Sequence, residues 1–392
     1  MINPICNLRA LSATVTLLLL SGLALPTSNP AATPDGTSTA PPSASTFERW
    51  GEETLDTETK DLWLSDRNLY ADKYTGGSLS TLSPAFMWGA GVQLSALAAA
   101  AQVEPQKYTA PLRAYAHGLE VYWTDHNGVK GYDVLPAPKP SDRYYDDNAW
   151  VVLALTEAYV ATRDRKFLDR AEATFHFVLS GEDTKLGGGI YWKENELSSK
   201  NTCSNAPTMT GALRLYQLTR KPQYLQTATR LYRWTCDHLE DTDGLFWDNI
   251  KLDGKVDKAK YSYNSALMIR ANCLFYAISH QRGYLTEAER IARAAEAKWV
   301  AHDTGALADG GRFANLLDDS FLALYEQDRD PHWLKIVTDS LVFLHEKVRD
   351  PMNRYADHWD TPQPTALTGY EMINQASAAR AYWAAARALL RR

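Results

Sequence analysis

The sequence predicts an all-α protein, an (α/α)6 barrel of six helical hairpins. From Phe47 onward, apolar residues recur with the helical period rather than the strand period. Short and long connections alternate along the chain, and a polar motif recurs where every second helix begins. A two-helix hairpin is therefore the repeated unit, and six such hairpins account for the folded chain.

Twelve segments carry the helical pattern. Pro84 and Pro331 suit the first turn of a helix, and Gly283 stands where a helix C-cap is expected. In chain order, the predicted helices are 47–73, 84–102, 105–124, 144–162, 165–180, 205–219, 222–239, 262–281, 284–300, 312–327, 331–346 and 369–389.

The connections set the architecture. Those after the even-numbered helices are about two to four residues long, which is typical of antiparallel neighbours. Those after the odd-numbered helices run to roughly ten to twenty-four residues, a length that is usually functional. The long loops should then gather at one end, where the even-numbered helices begin. An open superhelical array is the alternative, but it requires more regular repeats and polar end caps.

The polar motif recurs about every 55 to 60 residues at the starts of the inner helices. The barrel geometry brings these starts together in one active-site bowl at the N-terminal ends of the inner helices. N-capping is the competing interpretation, although it does not explain doubled acids. The starts read Asp147-Asn148-Ala149, Ser204-Asn205-Ala206, Tyr263-Asn264-Ser265-Ala266, Asp318-Asp319-Ser320 and Ile373-Asn374-Gln375-Ala376.

Composition excludes several classes of function. The net charge of -6 and the lack of Lys/Arg clusters argue against nucleic acid or an anionic membrane as a partner. The nine histidines form no HExxH motif, and no GxSxG motif occurs, so we predict no metal and no cofactor. A calcium site at Asp318-Asp319 is the alternative, but no acidic loop has calcium-ligand spacing.

The N-terminal segment predicts export. Arg9 precedes an apolar run from Ala13 to Leu25 that is short for a membrane span. We expect a signal peptide over 1–28, a disordered Pro/Ser/Thr-rich linker over 29–46 and the catalytic domain over 47–392. The protein should be a periplasmic or extracellular monomer with no integral membrane span. Its odd set of cysteines, Cys203, Cys236 and Cys273, allows at most one disulfide and favours buried, inert thiols.

Two adjacent carboxylates, Asp146 and Asp147, lie at the mouth of a helix after a Pro-rich loop. Two neighbouring carboxyl groups can divide the work of glycosidic bond cleavage between nucleophile and proton donor. Complementing the helix dipole is the alternative role for acids at this position. Asp318 and Asp319 form a rival acidic pair, whose alternative roles are to bind sugar hydroxyls or to raise the pKa of an acid across the bowl.

Aromatic and amide side chains fill the long loops. Gly187-Gly188-Gly189 lets the backbone turn tightly before Tyr191 and Trp192, which can stack on a pyranose face. Asn195 and Asn201 can bind its hydroxyls. A phosphate cradle is the competing idea, but the run lacks the Lys-Ser/Thr ending. Further candidate sugar platforms are Trp88, Trp247 and Trp359.

Four segments together resemble glycoside hydrolase family 76, whose members act on α-1,6-linked mannan. They are YYDDNAW at 144–150, GGGIYWKEN at 187–195, KNTCSNAP at 200–207 and YSYNSAL at 261–267. The resemblance extends from Phe47 to the C-terminus and weakens after about Leu285. KNTCSNAP favours the exported bacterial form of the family.

The resemblance implies a retaining enzyme that cuts within α-mannan or mannooligosaccharides, with Asp146 as nucleophile and Asp147 as acid/base. Retention requires carboxyl groups about 5 Å apart, which neighbours at a helix entrance can reach. Together with the bowl geometry, it predicts substrate contacts from Tyr145, Tyr191, Trp192, Asn195, Asn201, Asn205, Tyr263, Asn264, Asp318, Asp319 and Trp88.

Other functions stay open at this point. A transglycosidase or an exo-acting α-mannosidase would share the fold and the acid pair. An unsaturated glucuronyl hydrolase acts on acidic sugars and should present Arg or Lys in the bowl. A non-catalytic mannan-binding protein would keep the aromatics without needing the paired acids.

Overall fold

The computed structural model describes residues 42–138 and 141–391. The predicted signal peptide over 1–28 and most of the linker lie outside these residues. Twelve α-helices occur within them, as predicted. They are α1 (Ala44–Leu62), α2 (Met87–Val103), α3 (Pro105–Gly118), α4 (Tyr145–Thr162), α5 (Arg165–Leu179), α6 (Thr202–Thr219), α7 (Pro222–Leu239), α8 (Ser262–Ser279), α9 (Arg282–Trp299), α10 (Gly311–Asp328), α11 (Pro331–Phe343) and α12 (Met372–Leu390).

The even-numbered helices form an inner ring. Each packs against the next, from α2 through α4, α6, α8 and α10 to α12, and α12 packs back against α2. Each remaining helix lies outside, against the inner helix that precedes it, and α1 covers α12. The (α/α)6 fold is therefore confirmed, and an open array is excluded because the first and last helices meet.

Burial explains which helices lie inside. An inner helix has neighbours on both sides and an outer helix behind it, so it is apolar around most of its circumference. In α4, every residue from Asn148 to Ala158 is buried. An outer helix buries only one face; α7 buries a stripe that includes Tyr224, Leu231 and Trp234, while the residues between the members of this stripe face solvent or are half-buried. This difference in burial pattern determines which helices form the inner layer and which form the outer layer.

Four inner helices end on a non-glycine residue in the left-handed conformation. Arg163, Arg220, His280 and Arg329 have φ between 55° and 59°, and each donates its backbone N–H to the carbonyl four residues back. The next outer helix begins two residues later. The prediction that Gly283 is a helix C-cap is therefore wrong. Gly283 lies inside α9, and His280 is the C-cap of α8.

Two predicted helices are shorter than expected, because the long loops contain strands. The first helix ends at Leu62 rather than 73, before β1 (Trp63–Leu64), β2 (Leu69–Tyr70) and β3 (Lys73–Tyr74). The third ends at Gly118 rather than 124, before β4 (Trp123–His126) and β5 (Val129–Tyr132). Aromatic and β-branched residues favour these strands. Pro84 bridges to Ala71 ahead of α2, and α1 begins at Ala44, inside the predicted linker.

Strand pairing joins neighbouring loops into one rim. The remaining strands are β6 (Tyr191–Lys193), β7 (Glu196–Asn201), β8 (Asn249–Lys251), β9 (Val256–Asp257) and β10 (Tyr370–Glu371). An antiparallel sheet in the order β6-β7-β8-β9 links the loop after α5 to the loop after α7. Strand β10 pairs with β3 and so joins the last loop to the first. The long loops therefore gather at one end, as predicted.

The recurring polar motif anchors these loops. Asn148 accepts a hydrogen bond from the N–H of Tyr132 at 2.8 Å and donates to its carbonyl at 2.9 Å. Asn205 makes the same pair of bonds to Ile190, at 2.8 and 3.1 Å. Ser265 accepts from Phe246 and Gln375 from Tyr355 at the corresponding positions of α8 and α12. These side chains satisfy loop backbone groups that would otherwise be buried without partners.

Three further predictions concern features outside the packing. No helix in the described ranges has the length and apolar character needed to cross a membrane. No disulfide joins Cys203, Cys236 and Cys273 to one another. Within the same ranges, no three metal-ligating side chains group together.

Glu58 of α1 is a buried acid in the contact between α1 and α2. Its side chain is 0% exposed, and neither carboxyl oxygen accepts a hydrogen bond from a described residue. Burial raises the pKa of Glu58 well above its ordinary value, and the nearby Gln93 amide offsets only part of that rise. The folded protein therefore keeps Glu58 protonated at pH values where the unfolded chain ionises it.

We predict that Glu58→Gln stabilises the protein increasingly as pH rises. Below the unfolded-state pKa, both states of the wild type are protonated and the two proteins should unfold alike. Above it, ionisation favours the unfolded wild type only, and each pH unit is worth about 1.4 kcal/mol until the folded pKa is reached. Thermal unfolding from pH 4 to pH 8 measures the difference. A difference in Tm that stays constant with pH would contradict the buried, protonated state.

Candidate active site

A cavity of about 740 Å3 opens at the end where the long loops gather. Its walls come from the starts of α2, α4, α6, α8 and α10 and from β7 and β8. The lining residues are Phe86, Trp88, Val134, Tyr144, Asp146, Asp147, Trp150, Trp192, Glu196, Ser198, Ser199, Asn201, Cys203, Asp248, Asn249, Lys251, Tyr261, Tyr263 and Phe313.

Asp146 and Asp147 are the second and third residues of α4 and line the cavity. The N-cap residue Tyr144 offers no side-chain cap, so the backbone N–H groups of the first turn remain available to nearby acids. Asn148, one residue further on, fixes the start of the helix to β5. The two carboxyl groups are thus placed by a rigid helix rather than by a mobile loop.

Arg143 holds the loops around the acid pair. Its side chain is 0% exposed, and it donates two hydrogen bonds to the carboxylate of Glu194, at 2.8 and 2.5 Å. A third bond reaches the carbonyl of Val129 at 2.8 Å. This fork joins the turn between β6 and β7 to the β4–β5 hairpin, because a guanidinium can donate in several directions within one plane.

The environments of the two acids differ. Burial raises the pKa of Asp146 to about 6, while the Trp192 indole, the backbone N–H of Asp147 and the Cys203 thiol lower it. The indole Nε1 donates to Oδ2 of Asp146 at 3.0 Å. No described residue donates to the carboxyl of Asp147, and burial together with the charges of Asp146 and Asp142 raises its pKa well above the ordinary value. This difference favours the negative charge on Asp146 and the proton on Asp147.

Aromatic rings cover much of the cavity wall. Phe313 stacks on Tyr263 at 4.7 Å between ring centroids and on Trp88 at 5.6 Å. Tyr144 packs edge-on against Trp192 at 5.1 Å, on the side of the acids. Trp192 and Tyr261 are 37% and 39% exposed, so their faces remain accessible to a ligand. Flat apolar surfaces of this kind can stack on the carbon–hydrogen faces of sugar rings.

The cavity is negatively charged. Asp146, Asp147, Glu196 and Asp248 are its acids, and Lys251 is the one cation among the described lining residues. Burial raises the pKa of Asp248, and the amides of Asn249 and Asn264 offset part of that rise. A negatively charged cavity disfavours an acidic sugar and therefore argues against an unsaturated glucuronyl hydrolase.

The structure brings six of the predicted site residues together in this cavity. They come from four different helices and loops, so their proximity depends on the ring. They are Asp146, Asp147, Trp192, Asn201, Tyr263 and Trp88.

Two predicted tyrosines lie behind the cavity wall instead. Tyr145 is buried and stacks on Phe177 at 5.1 Å between centroids, because the first turn of α4 points it towards α5. Tyr191 is 2% exposed and donates to Asp183 at 2.8 Å. Neither ring is available to a sugar. Their sequence neighbours Tyr144 and Trp192 take the cavity positions.

The glycine run before Tyr191 packs outwards rather than towards a ligand. A Cβ at Gly189, where φ is +79°, would lie 2.5 Å from Trp234 on the outer helix α7. The buried Lys200 ammonium donates to the carbonyl of Gly188 at 2.5 Å and to Asp183 at 2.6 Å. These glycines therefore allow the backbone to turn tightly, as predicted, and to pack closely on Trp234.

Three predicted amides also lie elsewhere. Asn205 is 0% exposed, and its amide is used by Ile190 and Asn201, so it is a loop anchor rather than a ligand contact. Asn264 is buried behind Asp248. Asn195 lies at the exposed turn between β6 and β7, where it donates weakly to Ser141 at 3.4 Å.

The second acidic pair does not face the cavity. Asp318 and Asp319 are the eighth and ninth residues of α10, two turns below its start. Asp318 points to Ser340 of α11 at 3.5 Å, while Asp319 accepts from Arg380 of α12 at 2.6 Å. The recurring motif predicted this pair at the start of an inner helix, whereas α10 begins seven residues earlier, at Gly311.

Several lining residues were missed or misassigned. Tyr144, Trp150 and Tyr261 lie within the segments YYDDNAW and YSYNSAL but were not predicted as site residues, although they line the cavity. Asp248 and Phe313 lie outside any motif, so no sequence signal distinguished them. Trp359, predicted as a sugar platform, is 1% exposed and packs on Gly311. Trp247, the third predicted platform, is not among the lining residues.

Comparisons with known proteins agree with this architecture. Residues 57–316 match the sequence profile of glycosyl hydrolase family 76. The structure is similar to that of a family 76 α-mannanase from Bacteroides thetaiotaomicron, with 35% identity, a TM-score of 0.82, and coverage of 87% of this chain and 95% of that chain. A fungal relative, the meiotically up-regulated gene 191 protein of Schizosaccharomyces pombe, is 25% identical over 65% of this chain. Relatives are thus both bacterial and fungal.

A further solved structure shares the fold. It is an inactive variant of an α-1,6-mannanase from Salegentibacter sp. HEL1_6, with two consecutive aspartates replaced by asparagine and α-1,6-mannotriose bound. The identity is 22% and the TM-score 0.75, over 87% of this chain and 99% of that chain. The chain spans 64% of the length of the Schizosaccharomyces relative.

We predict that Trp192→Phe raises the pKa of Asp146 by about one pH unit. The phenyl ring keeps the packing but removes the N–H that stabilises the ionised carboxylate, and a hydrogen bond to a charged group is worth about 1.5–3 kcal/mol. Titration of 13C-labelled aspartate carboxyl groups by NMR measures the change. Trp247→Phe, which alters a loop tryptophan outside the cavity, is the matched control. An unchanged titration in the Trp192 variant would show that the indole does not stabilise Asp146.

Proposed function

Since the chain belongs to glycosyl hydrolase family 76, we propose that it hydrolyses α-1,6-mannosidic linkages within mannan by double displacement, with retention of anomeric configuration. The observation that carries this proposal is the unequal environment of the acid pair. The Trp192 indole donates to Asp146 and, with the nearby Asp147 N–H and Cys203 thiol, lowers the pKa of Asp146, whereas burial and the charge of Asp146 raise the pKa of Asp147. Such a pair supplies a nucleophile and an acid at the same pH.

In the first step, an oxygen of the Asp146 carboxylate attacks the anomeric carbon, and the bond from that carbon to the glycosidic oxygen breaks. Asp147 gives its proton to the departing oxygen, so the leaving sugar is released as an alcohol. The products of the step are a mannosyl ester on Asp146 and an ionised Asp147.

In the second step, the loss of negative charge on Asp146 lowers the pKa of Asp147. An ester carries no negative charge, so the repulsion that raised the pKa of Asp147 disappears. The ionised Asp147 then takes a proton from water while the water oxygen attacks the anomeric carbon. The ester bond breaks, the glycan is released with mannose at its new reducing end, and both carboxyl groups return to their starting states.

The substrate assignment is supported by the cavity and by the relatives. The wall has accessible aromatic faces and a net negative charge, which suit a neutral glycan. The Salegentibacter protein is named an α-1,6-mannanase, and its inactive variant lacks two consecutive aspartates. This chain has two such pairs within its described residues, and of them only Asp146-Asp147 lines the cavity.

We predict that Asp146→Asn lowers turnover of linear α-1,6-mannan by on the order of 10^4-fold while substrate binding remains. Size-resolved products measure turnover, and calorimetry with mannooligosaccharides measures affinity. Asp318→Asn is the matched control. It changes a buried aspartate on another inner helix whose pKa is already raised by burial and by Asp319, so activity should stay within about twofold.

Each product pattern has a distinct meaning. A ladder of oligosaccharides from the wild type supports cleavage within the chain, whereas mannose alone indicates an exo-acting enzyme. Products longer than the substrate indicate transfer of the Asp146 ester to a sugar hydroxyl instead of water. Binding without products from either protein would reject hydrolysis of this glycan and favour a non-catalytic role.

We also predict a bell-shaped dependence of kcat/KM on pH. Activity should fall below about pH 6, where Asp146 becomes protonated and loses its nucleophilic charge. It should fall again at higher pH, where Asp147 loses the proton that the leaving group needs. Initial rates at low substrate concentration between pH 4 and pH 9 measure both limbs. Activity that persists unchanged down to pH 4 would contradict the assignment of Asp146.

A further inference from the structure

A second cavity, of about 360 Å3, lies at the opposite end of the barrel axis from the acid pair. All six inner helices contribute to it from their later turns. We call it the axial cavity. In order from α2 to α12, one lining residue from each inner helix is Gln102, Glu157, Arg214, Arg270, Asp319 and Arg387.

The carboxylates of the axial cavity are already paired. Glu157 accepts from Arg270 at 2.8 Å and from Arg380 at 3.0 Å. Asp319 accepts from Arg380 at 2.6 Å. The two acids and two arginines therefore form a network without net charge. Burial opposes the ionisation of Glu157, but the positive charges of Arg380 and Arg270 outweigh this effect and lower the pKa of Glu157 to about 2.

The remaining cations exceed the remaining anions. Arg391 pairs with Glu326 at 3.2 Å, which leaves Arg163, Arg214 and Arg387 without a carboxylate partner among the described residues. Arg163 is exposed and lies at the mouth of the cavity. Arg214 and Arg387 lie further inside, and each makes one hydrogen bond to a glutamine, at 2.8 Å to Gln217 and at 2.9 Å to Gln102.

The two inner guanidinium groups have unused donors. A guanidinium carries five N–H bonds. The Nε atoms of Arg214 and Arg387 are buried and have no acceptor among the described residues. Burial and the nearby charges of Arg270 and Arg387 lower the pKa of Arg214 to about 10. Burial and Arg380 lower the pKa of Arg387. Two buried cations thus repel each other across the ring.

Helix dipoles account for only part of this cluster. The six inner helices direct their C-terminal carbonyl groups towards this end, and basic residues in a last turn complement the partial negative charge there. That explanation suits Arg387 and Arg391, which lie in or next to the last turn of α12. Arg214 lies five residues before Thr219, the last residue of α6, and therefore precedes the last turn. The effect of the helix dipole is weak at that distance from the helix end.

We propose that the axial cavity binds a small oxyanion of the phosphate or sulfate type between Arg214 and Arg387. Tetrahedral oxyanions match the planar fork of arginine and accept several of its N–H groups at once. The bound anion would accept hydrogen bonds from both guanidinium groups and remove the repulsion between the cations. It would link α6 to α12 across the ring, and its effect would be on the stability of the barrel rather than on the acid pair at the other end.

Thermal unfolding in sodium phosphate, with ionic strength held constant by sodium chloride, tests this site. The Tm of the wild type should rise by roughly 2–5 °C and saturate with phosphate concentration, because an anion that binds only the folded state stabilises it. Arg214→Gln and Arg387→Gln should lose this rise. Arg233→Gln, which removes an exposed cation on α7, should keep it. An equal rise in all four proteins would identify a general salt effect and overturn the proposal.

Two further measurements keep the test independent of folding defects. In chloride alone, neither glutamine variant should be less stable than the wild type, because each removes one of two repelling buried cations. Calorimetric titration of the wild type with phosphate should give one saturable site per chain. Sulfate added beforehand should compete with phosphate for that site and weaken its apparent affinity. The absence of saturable binding in the wild type would overturn the proposal whatever the variants do.

Discussion

The parallel orientation of the six inner helices is the constraint on which the rest of the molecule depends. Each two-residue connection turns an inner helix directly into the outer helix behind it, so every inner helix must begin at the same end. Packing of α12 against α2 then closes the ring. As a consequence, six helix N-termini converge on one opening of the barrel and six C-termini converge on the other.

This polarity separates two electrostatic environments. The N-terminal opening carries the acids of the catalytic cavity, and the C-terminal opening carries the arginines of the axial cavity, as the helix dipoles favour. Burial then changes the pKa values and the hydrogen bonding of the charged groups at each end. At one end it raises the pKa of both acids, and at the other it leaves the Nε atoms of Arg214 and Arg387 without acceptors among the described residues.

The loops at the N-terminal opening hold their shape through repeated side-chain anchors. Asn148, Asn205 and Gln375 each satisfy the backbone of the loop that precedes their helix. Arg143 and Lys200 add buried cross-links between and within neighbouring loops. The carboxyl groups of Asp146 and Asp147 can therefore lie beside long loops and keep fixed positions, because the loop backbone has few unsatisfied groups that would favour opening.

The amino-acid sequence determined the helices, the alternation of their connections and the acid pair at the start of α4, because these depend on local periodicity and on neighbouring residues. It also indicated Trp192, Asn201, Tyr263 and Trp88 from the composition of the loops. Only the tertiary structure decided which polar residues face the cavity. Asn205 and Asn148 follow the same motif, yet their amides face the loops, while Asp248 and Phe313 enter the cavity without any motif. The physical reason is that the direction of a side chain on an inner helix depends on how the ring closes, and closure is a property of residues hundreds of positions apart.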